Sequence, residues 1–577
     1  MHFSFLPYWK PQEGFETRDI QRRITRETYI LIVCIFGSLA GAVQGFLSTL
    51  SGMMLSNEQF LSDLSGEDNF TSRFIVLFYA GEIIGALLSF PLSDTFGRKT
   101  TLIYVSILCI LTLIWNTVTI AGPDMLTARF FVGWTVGILM SIAPVYLSEI
   151  APTPDRGKCC SFIALSSVIG SLLAGISYYL LNRYSFGWRI CYSIPFLLLV
   201  CKCIGLSLLP ESPRWLLARK TPAECLISMR QLRRTNDVSK EFNDIYLALS
   251  SDARLGEAWV DILTSRSLNY RLMVSCVIQL CQEMVGIQVI TTFGSTILSL
   301  LEMHSVILGL SLAYVAALMG TSLGYTKIDI WGRRFLMLSG SVAMSVSWIG
   351  SAVCVYSGGL EEGKAELYFP SYVMRFFFGS FLCLFAFFYS FSLGPISWVV
   401  PAEIFPLRAR GKASALTTAA HGASAVLGAW LLNMWLASGY DAAACMLAFA
   451  GLVILLGIFV LLTLPETNGV MLEDMEELFA IEDGVFCCCP DIRYPMGFRI
   501  LTRSKAPRSQ HPNEQDAEKG NSGTLFEPST LHKYSGGMRE TKFEYFHDED
   551  EPLVLTSTSR TANSLIPQSN KDNKELK

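Results

Sequence analysis

Asp94-Thr95-Phe96-Gly97-Arg98-Lys99 and Asp329-Ile330-Trp331-Gly332-Arg333-Arg334 carry one pattern: an acid, two spacer residues, glycine, arginine and a second base. Each follows a long apolar stretch, at 71–92 and 305–326. Two further echoes keep the same order. Ser148-Glu149-Ile150 leads to Arg156-Gly157-Lys158 as Ala402-Glu403-Ile404 leads to Arg410-Gly411-Lys412. Pro210-Glu211-Ser212-Pro213-Arg214 returns as Pro465-Glu466-Thr467-Asn468-Gly469. One charged interfacial motif needs no special explanation. Three pairs in the same order read as a duplication, each copy holding six apolar stretches.

Crossing a bilayer takes about 20 largely apolar residues. Twelve stretches qualify: 28–50, 71–92, 100–121, 125–147, 159–181, 188–209, 271–297, 305–326, 335–356, 371–399, 413–436 and 442–464. Composition demands the same solvent. The chain is 51% hydrophobic and 16% charged, with a mean hydropathy of +0.40, whereas ordinary soluble proteins are roughly 25% charged. The expected fold class is an all-α membrane protein, twelve transmembrane helices in two pseudo-symmetric six-helix bundles. The expected organisation is a leader at 1–27, a first bundle at 28–209, a polar helical linker at 210–270, a second bundle at 271–464 and a largely disordered tail at 465–577.

Several function classes are excluded. With 45 Lys+Arg against 49 Asp+Glu the net charge is −4, so no basic field exists for nucleic acid. The 16 cysteines show neither metal-ligand spacing nor a disulfide scaffold. No metal and no cofactor is expected. The absence of a Walker loop, a zinc signature and a nucleophile elbow argues against a primary pump and against an enzyme.

Basic residues fix the orientation. Arg18, Arg22, Arg23 and Arg26 precede the first span, and Arg98/Lys99, Arg156/Lys158, Arg333/Arg334 and Arg408/Arg410/Lys412 fall in alternate loops. Both termini are expected in the cytoplasm of a multi-pass protein, in the plasma membrane rather than an internal one. The sequon Asn69-Phe70-Thr71 falls in the first loop on the opposite side, which makes Asn69 the glycosylation candidate. Cys487, Cys488 and Cys489, shortly past the last span, suit either palmitoylation or free thiols.

At these motifs the chain resembles the major facilitator superfamily and, within it, the sugar porter family. The strings that carry the resemblance are Asp94–Lys99, Arg129 followed by Pro144-Val145-Tyr146-Leu147-Ser148-Glu149, Pro210-Glu211-Ser212-Pro213-Arg214-Trp215, Gly394-Pro395-Ile396-Ser397-Trp398 and Pro465-Glu466-Thr467. The match runs from about 28 to 469. It implies alternating access around a sugar or polyol site lined by spans 5, 7, 8, 10 and 11. It also implies a cytoplasmic latch formed by Asp94, Arg98, Glu149, Arg156, Asp329, Arg333, Glu403 and Arg410, whose pairs must break for inward opening.

Mapped onto this chain, the family's site is partly replaced. Span 7 reads Gln282-Glu283-Met284-Val285-Gly286-Ile287-Gln288, and the aromatic gate after it reads Thr292-Phe293. Trp398 is retained. Family amide positions in spans 5 and 8 correspond to Ala164 and Ala317; in span 11 the amide positions correspond to His421 and Ala425 and the family's tryptophan to Gly422. Each sugar hydroxyl desolvated without a partner costs about 1–3 kcal/mol. A solute smaller or less hydroxylated than glucose is therefore favoured, with a different sugar as runner-up. Gln282, Glu283, Gln288, Trp398 and His421 are the substrate-binding candidates; a break at Gly286 is needed for Gln282 and Gln288 to line one site.

Proton coupling is the other open matter. The first-span aspartate implied by the resemblance, partner of the fourth-span Arg129, is Val43 here. Glu283 and Glu82 are acids inside spans 7 and 2, and an intramembrane acid is functional by default. Glu283 is a relocated proton site, a ligand to substrate, or a partner of Arg129 or His421. With Arg129 it is the coupling candidate, and the proton the candidate co-substrate. The expected function is transport of a sugar, polyol or related small polar solute. The competing class is a non-transporting sugar sensor that signals through its tail.

Overall fold

The computed structural model describes residues 16–64, 70–184, 186–235, 237–252, 265–291, 306–358, 372–438, 442–473 and 475–479, with 259, 262 and 264 between. Most of these residues are helical, with no strand among them. The first half contains α1 (Glu16–Met54), α2 (Glu58–Leu64), α3 (Phe70–Phe96), α4 (Arg98–Val118), α5 (Gly122–Ile150), α6 (Arg156–Leu181) and α7 (Gly187–Ser207). Short helices follow: α8 (Pro213–Arg219), α9 (Pro222–Arg233) and α10 (Ser239–Asp252). The second half contains α11 (Arg266–Met284), α12 (Gln288–Thr291), α13 (Val306–Trp331), α14 (Arg333–Gly358), α15 (Tyr372–Phe391), α16 (Leu393–Glu403), α17 (Leu407–Ser438) and α18 (Ala442–Thr463), and α19 (Met475–Leu478) comes last. Among the described residues, eleven helical segments are long and apolar enough to cross a membrane. The 26-residue α13 supplies the twelfth long segment. Asn69, Thr292, Phe293 and Cys487–Cys489 lie outside the described residues.

The repeated motifs build the same joint twice. Gly97 is the single residue between α3 and α4, and Gly332 the single residue between α13 and α14. Both have positive φ, 98° and 86°, where a side chain is strained. Each reversal exposes fresh backbone N–H groups at a helix start, where the dipole favours an anion. A carboxylate from the third motif caps each start. Glu211 accepts from the backbone of Lys99 (2.9 Å) and Thr100 (3.3 Å), and Glu466 from that of Arg333 (2.9 Å) and Arg334 (3.1 Å). A β-carbon on either glycine would press into its carboxylate.

The second motif closes the joint. Arg98 reaches Asp94 (3.2 Å) and Glu149 (3.3 Å), and Glu149 accepts from Ser212 (2.5 Å). In the other half Arg333 reaches Asp329 (3.0 Å) and Glu403 (2.9 Å), and Glu403 accepts from Thr467 (3.2 Å). Glu466→Ala, like Glu211→Ala, is expected to destabilise the fold by about 1–2 kcal/mol, the value of a helix cap with dipole assistance. Thermal unfolding of the purified protein checks it, and an unchanged midpoint in both variants would refute the capping role.

The α3–α5 contact is set by small residues, as helix packing in lipid requires. β-carbons on Gly81, Gly85, Gly133 or Gly137 would overlap carbonyl oxygens of the facing helix, at Phe130, Trp134, Phe78 and Glu82 respectively. This close seat puts the Glu82 side chain fully inside the protein. On the outside, Ile454, Leu455 and Ile458 of α18 and Leu111 and Ile114 of α4 present apolar surface, as suits lipid as solvent.

Candidate functional site

Span 7 breaks where Gly286 sits. α11 ends at Met284 and α12 begins at Gln288, and Gly286 between them has φ 96°. Trp348 of α14 holds the break by donating its indole N–H to the Val285 carbonyl (2.9 Å). Residues 279, 282 and 283 share one face of α11 by helical spacing. The break then returns Gln288 to Glu283, with its amide 3.3 Å from that carboxylate and 2.9 Å from the Ala425 carbonyl.

Three buried amide oxygens on this span have no hydrogen to accept. Gln279 gives its N–H to the Ser397 carbonyl (2.8 Å), and Gln282 faces the Tyr389 hydroxyl. The side-chain oxygens of Gln279, Gln282 and Gln288 have no hydrogen-bond partner among the described residues. Trp398 lies beside them on α16, which follows α15 through Ser392 and carries Pro395 in its first turn, where a missing N–H is tolerated. Its ring centroid is 5.2 Å from that of His421.

His421 joins the two halves. Its Nδ1 lies 3.0 Å from Glu82 of α3 and its Nε2 lies 3.3 Å from Glu283 of α11. Gln44 of α1 donates to the same Glu82 oxygen at 3.3 Å. The next residue makes this possible. A β-carbon at Gly422 would stand 2.9 Å from Ile83 and 3.3 Å from the Tyr79 carbonyl, so glycine lets α17 come close enough to α3 for the pairing.

Arg129 is held differently. It donates to Ser51 Oγ and to the Leu47 carbonyl (3.3 Å). Its guanidinium lies 4.5 Å from the Phe78 ring centre and 4.7 Å from that of Phe74, a cation–π setting. Its Nε and Nη1 have no partner among the described residues. Val43 is core. The structure thus pairs Glu283 with His421 and places Arg129 on aromatic faces and α1 oxygens.

The face bearing the repeated motifs is closed by links between the halves. Asp329 caps the α6 N-terminus across the interface, accepting from Gly157 N (3.1 Å) and Lys158 N (2.9 Å). Arg410 lies 3.6 Å from Glu149. Arg156 donates to the Val470 carbonyl (3.1 Å) and Arg214 pairs with Glu473 (2.9 Å). Burial opposes charge on Glu473, but Arg214 outweighs it and holds the carboxyl below its usual range. A depressed carboxyl contributes fully above its unfolded value of about 4.3 and is lost only as pH falls through its lower folded value. That link therefore does not change between about pH 5 and 8.

Of the residues singled out from sequence, Gln282, Glu283, Gln288, Trp398 and His421 come together; Arg129 stands apart. Gln279 and Gln44 were missed. Gln279 was findable, three residues before Gln282 on one helical face. Gln44 shows no such signal. Ala425, read as a lost ligand, contributes its carbonyl to Gln288.

A family model described as Sugar (and other) transporter matches residues 29–479. The chain belongs to that family. Similar proteins include sugar transport protein 1 of Arabidopsis thaliana, 26% identical over 519 residues that cover 82% of this chain and 96% of that one. Sugar transport protein MST7 of Oryza sativa subsp. japonica is 26% identical over 78% of this chain and 91% of its own. In fold, the proton:xylose symporter XylE of E. coli bound to 6-bromo-6-deoxy-D-glucose superposes with a TM-score of 0.70, at 21% identity over 79% of this chain and 100% of that one. The protein is therefore a membrane carrier of the major facilitator fold and not an enzyme. These comparisons lend the sensor reading no support.

Proposed function

We propose that this carrier moves a neutral polyhydroxylated solute, a pentose or polyol more readily than a hexose, by alternating access. The observation that supports this is the trio of unpartnered amide oxygens on Gln279, Gln282 and Gln288 beside the Trp398 ring. A buried acceptor left unmatched costs about 1–3 kcal/mol. Three at one place are best repaid by a ligand rich in hydroxyl donors, with an indole face for its C–H groups. Ala164 and Ala317 supply no amide from the neighbouring helices, which favours a solute with fewer hydroxyls.

On this reading the closed face is cytoplasmic, both termini lie there, and the protein works at the plasma membrane. The halves at 28–209 and 271–464 rock about the centre while the motif residues open and close the inner face. The experiment is uptake in transporter-null cells of labelled pentoses, polyols and hexoses. Gln282→Leu is expected to raise KM about tenfold, one hydrogen bond of about 1.4 kcal/mol, with a smaller effect on kcat. Uptake of no neutral sugar or polyol despite surface expression would overturn the reading.

A further inference from the structure

We propose that Glu82, His421 and Glu283 form one proton-binding site shared between the halves, and that its loaded form holds them together at the centre of the bundle. The inference rests on geometry. An imidazole that meets a carboxylate oxygen through each nitrogen, at 3.0 and 3.3 Å, needs a proton in both contacts. A neutral ring brings one. The second sits on the ring or on one of the two carboxyls. With that proton gone, a ring lone pair faces a carboxylate oxygen, and one contact becomes repulsive.

The contact from His421 to Glu82 crosses between α17 and α3, so the proton controls a link between the two halves. One Glu82 oxygen is buried with no hydrogen-bond partner among the described residues, which gives the proton a second landing point. Among the described residues, no lysine or arginine pairs with either carboxyl. Among the described residues, the other titratable groups that face the cluster are Tyr79 of α3 and Tyr389 of α15, and Arg129 of α5 lies behind Tyr79. Arg129 spends its contacts on Ser51, Leu47 and aromatic rings. From α1 the cluster meets the uncharged Gln44, and from α16 the Trp398 ring.

Coupling to solute follows from shared residues and rests on the transport reading. Gln288 donates to the second Glu283 oxygen and also offers a free acceptor to the solute. Trp398 packs on the His421 ring. A bound polyol therefore touches two neighbours of the proton site. The cycle moves one proton with one solute: the proton binds while the inner face is closed and leaves after that face opens. No bond other than to that proton is made or broken.

The test uses the full-length protein in lipid. Infrared difference spectra against pH report carboxyl and imidazole protonation without any solute. Wild type is expected to show a protonation step of this cluster, lost in both Glu82→Gln and Glu283→Gln. Absence of the step, or its persistence in both variants, overturns the site. In proteoliposomes, the ratio of proton-driven accumulation to counterflow exchange is expected to fall about tenfold or more in either variant, within the range of ordinary coupling energies. Equilibration of solute by wild type without proton movement overturns coupling and leaves the transport reading standing. A titrating step with no solute moved supports the site and overturns the transport reading instead. Should one variant fail to fold, the other and the wild-type titration still decide.

Discussion

Arg333→Ala is expected to lower the maximal uptake rate by about 10²-fold or more while KM changes by less than about threefold. Arg333 binds Asp329, Glu403 and the Asn468 side chain (2.8 Å), all in its own half. Asp329, which it fixes, is the residue that caps α6 in the other half. Alanine leaves two buried carboxylates side by side with no cation between them. Breaking a buried pair in this way costs about 3–5 kcal/mol, and each 1.4 kcal/mol is about a factor of ten. The loss falls on the conformation with the motif-bearing face closed, not on the sugar contacts. Arg333→Lys rescues little, because an ammonium cannot serve three partners from one plane. Reconstituted uptake measures the rate, and an unchanged rate with normal surface expression would remove Arg333 from the cycle.

Gly286→Val is expected to abolish solute binding and to destabilise the protein by about 2–5 kcal/mol. Two effects add. A residue in the left-handed region pays about 1–2 kcal/mol, more for a β-branched side chain. Overpacking adds about 1–3 kcal/mol, because even a β-carbon would stand 2.7 Å from the Trp348 ring and 3.0 Å from Phe449. The break in span 7 then straightens or shifts, and Gln288 leaves Glu283 and Ala425. Gly286→Ala should show the same defects, smaller. Thermal unfolding together with equilibrium binding of the transported solute checks both; wild-type binding in Gly286→Val would show that the break is dispensable.

The fold was legible because its evidence is local. Apolar length gives the spans, and the three motif pairs give the duplication. The motifs were read as a latch, and the structure assigns them two tasks. Glu211 and Glu466 cap helices within a half, Arg98 and Arg333 stay within a half, and Asp329, Arg156, Arg410 and Glu149 reach across. Sequence spacing cannot separate these, since all lie at the same face. The site was half legible. Span 7 shows its glutamines in one short string, so they could be read as one candidate group. His421 and Glu82 lie in different repeats, on helices brought together by a glycine, and nothing in either segment names the other. Gly422 illustrates the limit: read as a missing ligand, it is the residue that lets α17 approach α3.

The polarity of the central trio sets what becomes of cargo after delivery. Three carbonyl-type oxygens have no hydrogen-bond partner among the described residues and two carboxyls lie close by, while Gln288 already gives its amide hydrogens to Glu283 and Ala425 and Gln279 gives one to Ser397. Such a lining welcomes hydroxyl hydrogens and repels a phosphoryl group. On the proposed reading, a cell that phosphorylates the sugar it takes up would turn the carrier into a one-way valve, because the esterified product meets a lining of acceptors on the return trip.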